Sequence, residues 1–224
     1  MNTKALRQKI LDLAIHGKLV PQDPNDEPAA KLLDRIRAEK ERLANEGKIK
    51  RPKKPTATAS ADALWPLPQG WVWCKLEDVT IKIGSGSTPR GSNYSSSGIP
   101  FFRSQNIYNE GLVYEDVKYI SDETNNAMRG TIVQARDLLL NITGGSLGRC
   151  AYVPDDFVSG NVSQHVCIIR SLLVDQHYLH LFIISPFFTK SMNLSGSGRE
   201  GLPKYSLEIM QIPLPPLPEQ QRIE

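Results

Sequence analysis

DLLLNITGGSLG, residues 137–148, reads as a buried strand that runs straight into a glycine loop. Asp137 introduces Leu138, Leu139, Leu140 and Ile142, and the chain then passes through Gly144, Gly145 and Gly148 with Ser146 among them. Glycines tolerate positive φ and let a ligand come close to the backbone, while the strand holds the loop in place. Arg149 adds a cation at the rim, so the loop offers backbone N–H groups, a hydroxyl and a guanidinium to an anion. A tight β-turn uses the same residues equally well, and the flanking segments have to decide between the two.

Those segments repeat one design, a short apolar run followed by a polar mouth. On the N-terminal side, IKIGSGSTPRG (residues 81–91) is strand followed by loop, with Ser87, Thr88 and Arg90 placed to face a phosphate. IPFF (99–102) is a short strand that gives way to RSQN, Arg103 to Asn106. Arg pairs with guanine edges or phosphate, and Gln and Asn present paired donor and acceptor groups to adenine. The same side chains also cap turns or make surface hydrogen bonds. Residues 112–120 alternate loosely as another strand, and 121–129 read as a short helix or turn.

On the C-terminal side, residues 150–153 start a strand ended by Pro154, and Asn161, Ser163 and Gln164 precede the β-rich run 166–169. His165 and Cys167 share an alternating face, which predicts a packed histidine and an inert buried thiol rather than a metal site. Residues 178–190 form an apolar, aromatic helix candidate interrupted at Pro186. A glycine-rich loop bearing Arg199 follows, then a helix or turn at 205–210 after Lys204, and a proline-rigid exit, IPLPPLPEQQ, that reads as an interdomain joint.

The N-terminal quarter differs in kind. Leu6, Ile10, Leu13 and Ala14 recur at helical spacing and stop at Gly17; Ala29, Leu32, Leu33, Ile36 and Leu43 form a second apolar stripe that Asp26 is placed to cap. This predicts a helical hairpin over residues 1–47, with Leu33 and Ile36 as partner-binding candidates. A flexible basic linker covers 48–63, a mixed domain 64–218, and the start of a further helix 219–224. The expected class is α+β. WPLPQGWVWCKLEDV (65–79) marks the change of composition, with Trp71 and Trp73 alternating as on a strand that enters the mixed domain.

The 224 residues fit one domain with an extension, and the net charge is only +3. Residues 1–60 carry 14 Lys/Arg against 8 Asp/Glu, whereas the remainder is acidic on balance, with 13 against 16. A simple basic nucleic-acid module is therefore excluded, and any such site has to be a local arrangement of arginines, lysines and amides. Three widely separated cysteines, Cys74, Cys150 and Cys167, argue against a disulfide framework and for a reducing compartment. Neither a signal-peptide pattern nor a membrane-length apolar run is present, so a cytoplasmic protein without a membrane partner is expected.

Taken in order, AIHGKLVPQDPNDEPA (14–29), LPQGWVWCKLEDV (67–79), GSTP (86–89), IPFFRSQNI (99–107), DLLLNITGGSLGR (137–149), SPFF (185–188) and IPLPPLPEQQRIE (212–224) closely resemble the DNA-specificity subunit of type I restriction-modification systems. The resemblance spans nearly the whole chain. It implies one target-recognition domain preceded by a conserved helical segment, where the family usually has two such domains separated by helices. Those helices set the spacing of a bipartite DNA target and bind modification subunits. It also implies that catalysis lies elsewhere. Adenine methylation with S-adenosylmethionine belongs to modification subunits, and ATP- and Mg-dependent translocation and cleavage to the restriction subunit. ITGGSLG lacks the Lys and Ser/Thr of a P-loop, and no NPPY-type motif is present. A half-sized specificity protein acting as a homodimer, or an assembly protein independent of DNA, are the alternatives.

With double-stranded DNA as the expected partner, the loops supply a DNA-facing set. Gln105, Asn106, Ser146 and Gln164 are expected to read bases directly or through water, with Asn161 beside Gln164 at the same strand mouth. Arg103 and Arg149 suit either base or phosphate. Ser87, Thr88, Arg90, Arg199 and Lys204 complete the set, with Arg90 and Arg199 as phosphate contacts.

Overall fold

The computed structural model describes residues 3–51, 64–194 and 201–223. Its helices are α1 (Thr3–Ile15), α2 (Ala29–Asn45), α3 (Asp122–Ala127), α4 (Gln176–Ile183), α5 (Pro186–Leu194), α6 (Lys204–Glu208) and α7 (Leu217–Ile223). Its strands are β1 (Val72–Lys75), β2 (Thr80–Ser85), β3 (Ile99–Phe102), β4 (Ile107–Tyr108), β5 (Gly111–Leu112), β6 (Lys118–Ile120), β7 (Ile132–Val133), β8 (Leu138–Asn141), β9 (Cys150–Tyr152), β10 (Gly160–Val162), β11 (Val166–Ser171) and β12 (Gln211–Leu214). The class is mixed α+β.

The chain forms two compact units, and their limits cross the boundaries expected from composition. The first unit joins Met1–Ile81 to Ser171–Pro186 and Glu208–Glu224; the second comprises Lys82–Arg170 and Phe187–Leu207. Segments distant in sequence complete the first unit. β1 pairs antiparallel with β12, Trp73 lying opposite Pro213, so the proline-rich stretch supplies a strand where the sequence reading has a joint. The strand carrying Trp73 likewise belongs with the helices and not with the polar loops of the second unit.

Within the first unit, α1 packs on α4 and α4 on α7, and Ala14, Trp71, Tyr178 and Ile223 share one apolar cluster. Gly17, at φ 64°, ends α1, with the Lys18 N–H returning to Leu13 O at 2.8 Å. Asp26 does not cap α2. Its carboxylate takes Arg222 at 2.6 Å instead, and Pro28 holds the N-cap position. Glu219 is buried in α7, where it accepts hydrogen bonds from Trp71 Nε1 (2.9 Å) and Gln22 Nε2 (3.0 Å). The Tyr178 hydroxyl donates to Pro213 O, and burial pushes this phenol well above its ordinary range.

Leu33 and Ile36 face inward, so the assignment of both to a partner surface is corrected. Ile36 is fully buried and Leu33 nearly so, on the side of α2 that packs against the turn Leu76–Val79. Lys40 is also buried there and donates to Glu77 O at 2.6 Å; burial lowers its pKa. Leu33→Ala and Ile36→Ala are each expected to cost about 2 kcal/mol by leaving a cavity. The expected readout is a lower urea midpoint for the chain alone. A wild-type midpoint in both variants contradicts the packing role.

The second unit contains two four-stranded sheets, in the orders β6-β3-β10-β7 and β2-β11-β8-β9. All four residues of β8 are buried, as the run of three leucines demands. Phe102, Ile107, Val133, Leu139, Ala151, Val162, Val166 and Ile168 build the core. The loose strand expected over 112–120 is two strands, because the chain turns between them at Asp116, φ 53°. Ser121 caps α3, accepting from the Thr124 N–H at 3.1 Å.

Candidate nucleic-acid interface

Strand direction brings the polar loops of the second unit together. β3 and β10 are parallel, with Phe102 opposite Val162, so both leave their sheet at one edge, where the Ser163 N–H donates to Phe102 O at 3.0 Å. β8 and β11 are antiparallel, with Asn141 opposite Val166, so the end of β8 meets the segment that precedes β11. There the Ile142 N–H donates to His165 O (3.0 Å) and the Leu202 N–H to Ile142 O (2.7 Å). The loop after β2 joins the same edge through Gly86 N–H to Val166 O (2.9 Å) and Ser87 N–H to Val162 O (3.1 Å). Backbone hydrogen bonds thus align five loops along one rim.

Several predicted residues stand on this rim. Thr88 and Gln164 are exposed, and the Thr88 hydroxyl donates to Gln164 Oε1, which leaves the Gln164 amide N–H groups able to donate elsewhere. Gln105 is exposed in the turn Ser104–Asn106, Arg90 is exposed in the turn Arg90–Ser92, and Lys204 is exposed at the start of α6. Ser87 is half-buried. The exposed Arg149 guanidinium lies 4.7 Å from the centre of the Tyr108 ring, a cation–π contact that holds the charge at the surface. Ser146 is half-buried in the turn Gly144–Ser146, whose first residue has φ 73°, and its Oγ accepts from Asn141 Nδ2 at 3.0 Å. Arg199 lies outside the described residues.

Two amides of the DNA-facing set are corrected. Asn106 is fully buried: its Oδ1 accepts the Arg103 N–H (3.1 Å), and its Nδ2 donates to Val113 O (3.0 Å) and Glu115 O (3.1 Å). Asn161 is also fully buried, its Oδ1 taking Thr131 Oγ1 (2.7 Å) and its Nδ2 bonding Asn125 Oδ1 (2.9 Å). Both amides spend their hydrogen-bonding capacity on their own chain and shape the loops from beneath. Arg103 is intermediate, half-buried with one terminal nitrogen on Asp116 O at 3.0 Å.

The sequence reading missed other rim residues. His165, expected to be packed, is exposed and shares a 2.8 Å hydrogen bond with Thr143 Oγ1, because β11 begins only at Val166 and leaves His165 in the preceding turn. Tyr108 is exposed beside Arg149. Asn141 was legible only as a polar residue closing an apolar run. Burial pushes the Cys167 thiol up to about 12 and raises Cys150 as well. Both thiols therefore remain neutral near pH 7. Among the described residues no cluster of His, Cys, Asp or Glu is arranged to hold a metal ion, and no helix is long and apolar enough to cross a membrane.

Residues 68–224, which include this entire rim, match the family described as type I restriction modification DNA specificity domain. The chain belongs to that family. Among curated specificity-domain relatives, the type I restriction enzyme EcoAI and EcoEI specificity subunits of Escherichia coli are each 32% identical over 98% of this chain. The chain spans 38% of the length of each. The fold resembles the HsdS subunit of Thermoanaerobacter tengcongensis, with TM-score 0.54 and 19% identity, over 98% of this chain and 46% of that one. It also resembles a chain from a structure addressing assembly and conformational transition of the type I R-M system, with TM-score 0.56 and 19% identity, over 98% of this chain and 47% of that one. Within the specificity-domain family, the rim is where this chain presents its exposed amides, hydroxyls and cations together.

Proposed function

We propose that this chain is a sequence-specific DNA-recognition element of a type I restriction-modification complex and carries no catalytic group itself. The carrying observation is the rim, where five loops present Gln105, Gln164, Ser146 and the exposed cations Arg90, Arg149 and Lys204 on one edge. The amides supply bidentate base readout, and the cations neutralise phosphates and set register. Modification subunits with S-adenosylmethionine perform adenine methylation in this reading, and a restriction subunit with ATP and Mg2+ performs cleavage. Double-stranded DNA and these subunits are the partners, and the cytoplasm is the compartment. The chain supplies one recognition unit of a bipartite reader, completed by a second recognition domain or by a second copy in a homodimer. An assembly role independent of DNA gains nothing from a rim of exposed amides.

Duplexes selected from a randomised pool, with the chain alone and with modification subunits, test this reading. The isolated chain is expected to bind weakly, since near-neutral charge leaves few phosphate contacts and one unit grips only half a target, and for the same reason to lose affinity only shallowly between about 50 and 200 mM salt. Gln105→Ala is expected to reduce discrimination against one mismatched base pair by about 1–2 kcal/mol. Arg149→Ala is expected to weaken binding to all duplexes alike and to flatten the salt dependence. Failure of the pool to yield any preferred sequence, with or without partners, contradicts DNA recognition.

A further inference from the structure

Asn141 closes β8 beneath the rim and is fully buried. Its Nδ2 donates to two loops at once, to Ser104 O at 2.8 Å and to Ser146 Oγ at 3.0 Å. The first acceptor belongs to the turn that presents Gln105; the second belongs to the glycine loop that presents Arg149. Backbone bonds reinforce the glycine-loop side, with Asn141 N–H on Arg149 O (2.8 Å) and Gly148 N–H on Asn141 O (2.9 Å). Ser104 O also accepts the Ile107 N–H, so the side-chain bond is additional to what closes that turn.

The hydrogen-bonding economy of this residue argues against a purely structural amide. Asn106 and Asn161 each satisfy both ends of the side chain, whereas Asn141 Oδ1 is buried with no hydrogen-bond partner among the described residues. A buried acceptor left unmatched opposes folding and offsets part of what the two donor bonds contribute. What only an amide supplies is the forked donor. Turning it over would set Oδ1 against the carbonyl of Ser104, so the acceptor fixes its orientation.

We infer that Asn141 is a specificity-determining positioning residue: without touching DNA, it couples the Ser104–Asn106 turn to the Gly144–Ser146 loop so that Gln105 and Arg149 address the duplex in one register. The inference rests on the proposed DNA-recognition role, yet the coupling itself exists in the free chain and is measured there. A carboxylate at this position faces the Ser104 carbonyl and loses both donors when ionised, whereas the protonated acid recovers one. Burial and the adjacent carbonyl raise the pKa of such an acid, so Asn141→Asp becomes a pH-operated version of the coupling. The titratable groups on the surrounding segments are Arg103, Arg149, His165, Cys150 and Cys167, and Asn141→Ala reports whatever pH response they contribute.

The test is amide hydrogen exchange on the full-length chain at about pH 5.5 and pH 8, normalised for intrinsic exchange, after thermal melts confirm folding. In Asn141→Asp at the higher pH, exchange in residues 104–107 and 144–147 should rise together by about tenfold and fall back towards wild type at the lower pH, relative to Asn141→Ala. Ser146→Ala, which leaves the buried core intact, should loosen 144–147 alone. Using the duplex that wild type selects from a randomised pool, Asn141→Asp should lose about tenfold in discrimination at the higher pH and regain it at the lower. Unchanged exchange, a change confined to one segment in Asn141→Asp, or no difference in pH response from Asn141→Ala overturns the coupling. Coupled exchange without altered discrimination overturns the specificity role, and if wild type selects no duplex, DNA recognition fails while the exchange result still judges the coupling.

Discussion

Asp137→Ala is expected to destabilise the second unit by about 4 kcal/mol and to lower the melting temperature by on the order of 10 °C. Asp137 is fully buried at the foot of β8 and takes two of the three guanidinium nitrogens of Arg170, Nε at 2.7 Å and a terminal nitrogen at 2.8 Å. Its Oδ2 also accepts the Gln134 N–H at 2.8 Å, closing a turn in which Arg136 adopts φ 68°. Among the described residues, removing the carboxylate leaves a largely buried guanidinium with Ile132 O at 3.3 Å as its remaining acceptor and releases a strained turn. Differential scanning calorimetry on Asp137→Ala and Asp137→Asn gives the measurement. Asn keeps an acceptor for the turn and is expected to lose less than Ala. An alanine variant melting within about 2 °C of wild type would show that the pair contributes little.

Gly86→Val is expected to cost about 3 kcal/mol or more and to abolish DNA binding together with the fold of the rim. Gly86 passes so close to the backbone after β10 that a Cβ there would lie against the carbonyl of Val162 and 2.6 Å from Ser163 O. Carbonyls held in a sheet cannot swing aside as a side-chain terminus can. The steric cost therefore falls on the crossing that aligns the Thr88 loop with Gln164. Gly84, two residues earlier, has nothing within 4 Å of the same construction, so Gly84→Ala should change stability by less than about 1 kcal/mol. Equal urea midpoints for the Gly86 and Gly84 variants would remove the argument for close backbone approach.

Much of the rim was readable from residue order, and for a physical reason. A strand announces itself through local apolar and β-branched composition, and the polar residues that follow it lie at its end wherever the strand packs. RSQN after IPFF, GSTP after IKIGS, and GGS after LLLN were legible in that way, and the ends of their strands meet at one edge. Burial of an amide is not legible locally. Gln105 and Asn106 are neighbours in sequence and alike in chemistry, yet Gln105 is exposed whereas the fully buried Asn106 closes its turn, a difference made by carbonyls of Val113 and Glu115 that approach from the segment between β5 and β6.

By itself the sequence determined the α+β class, the family, the inert thiols and the chain of strand-then-loop segments, because each is carried by local pattern or by the order of motifs. Tertiary structure alone decided where the units divide, since β1 finds its partner only at β12 and α7 returns Glu219 to Trp71. It also turned Leu33 and Ile36 inward: an apolar helical stripe specifies that a face is covered, while only packing against the Leu76–Val79 turn specifies by what. And it separated exposed residues on the rim from buried ones beneath it, because hydrogen bonds from Asn141 to Ser104 and Ser146 join segments that no local pattern connects.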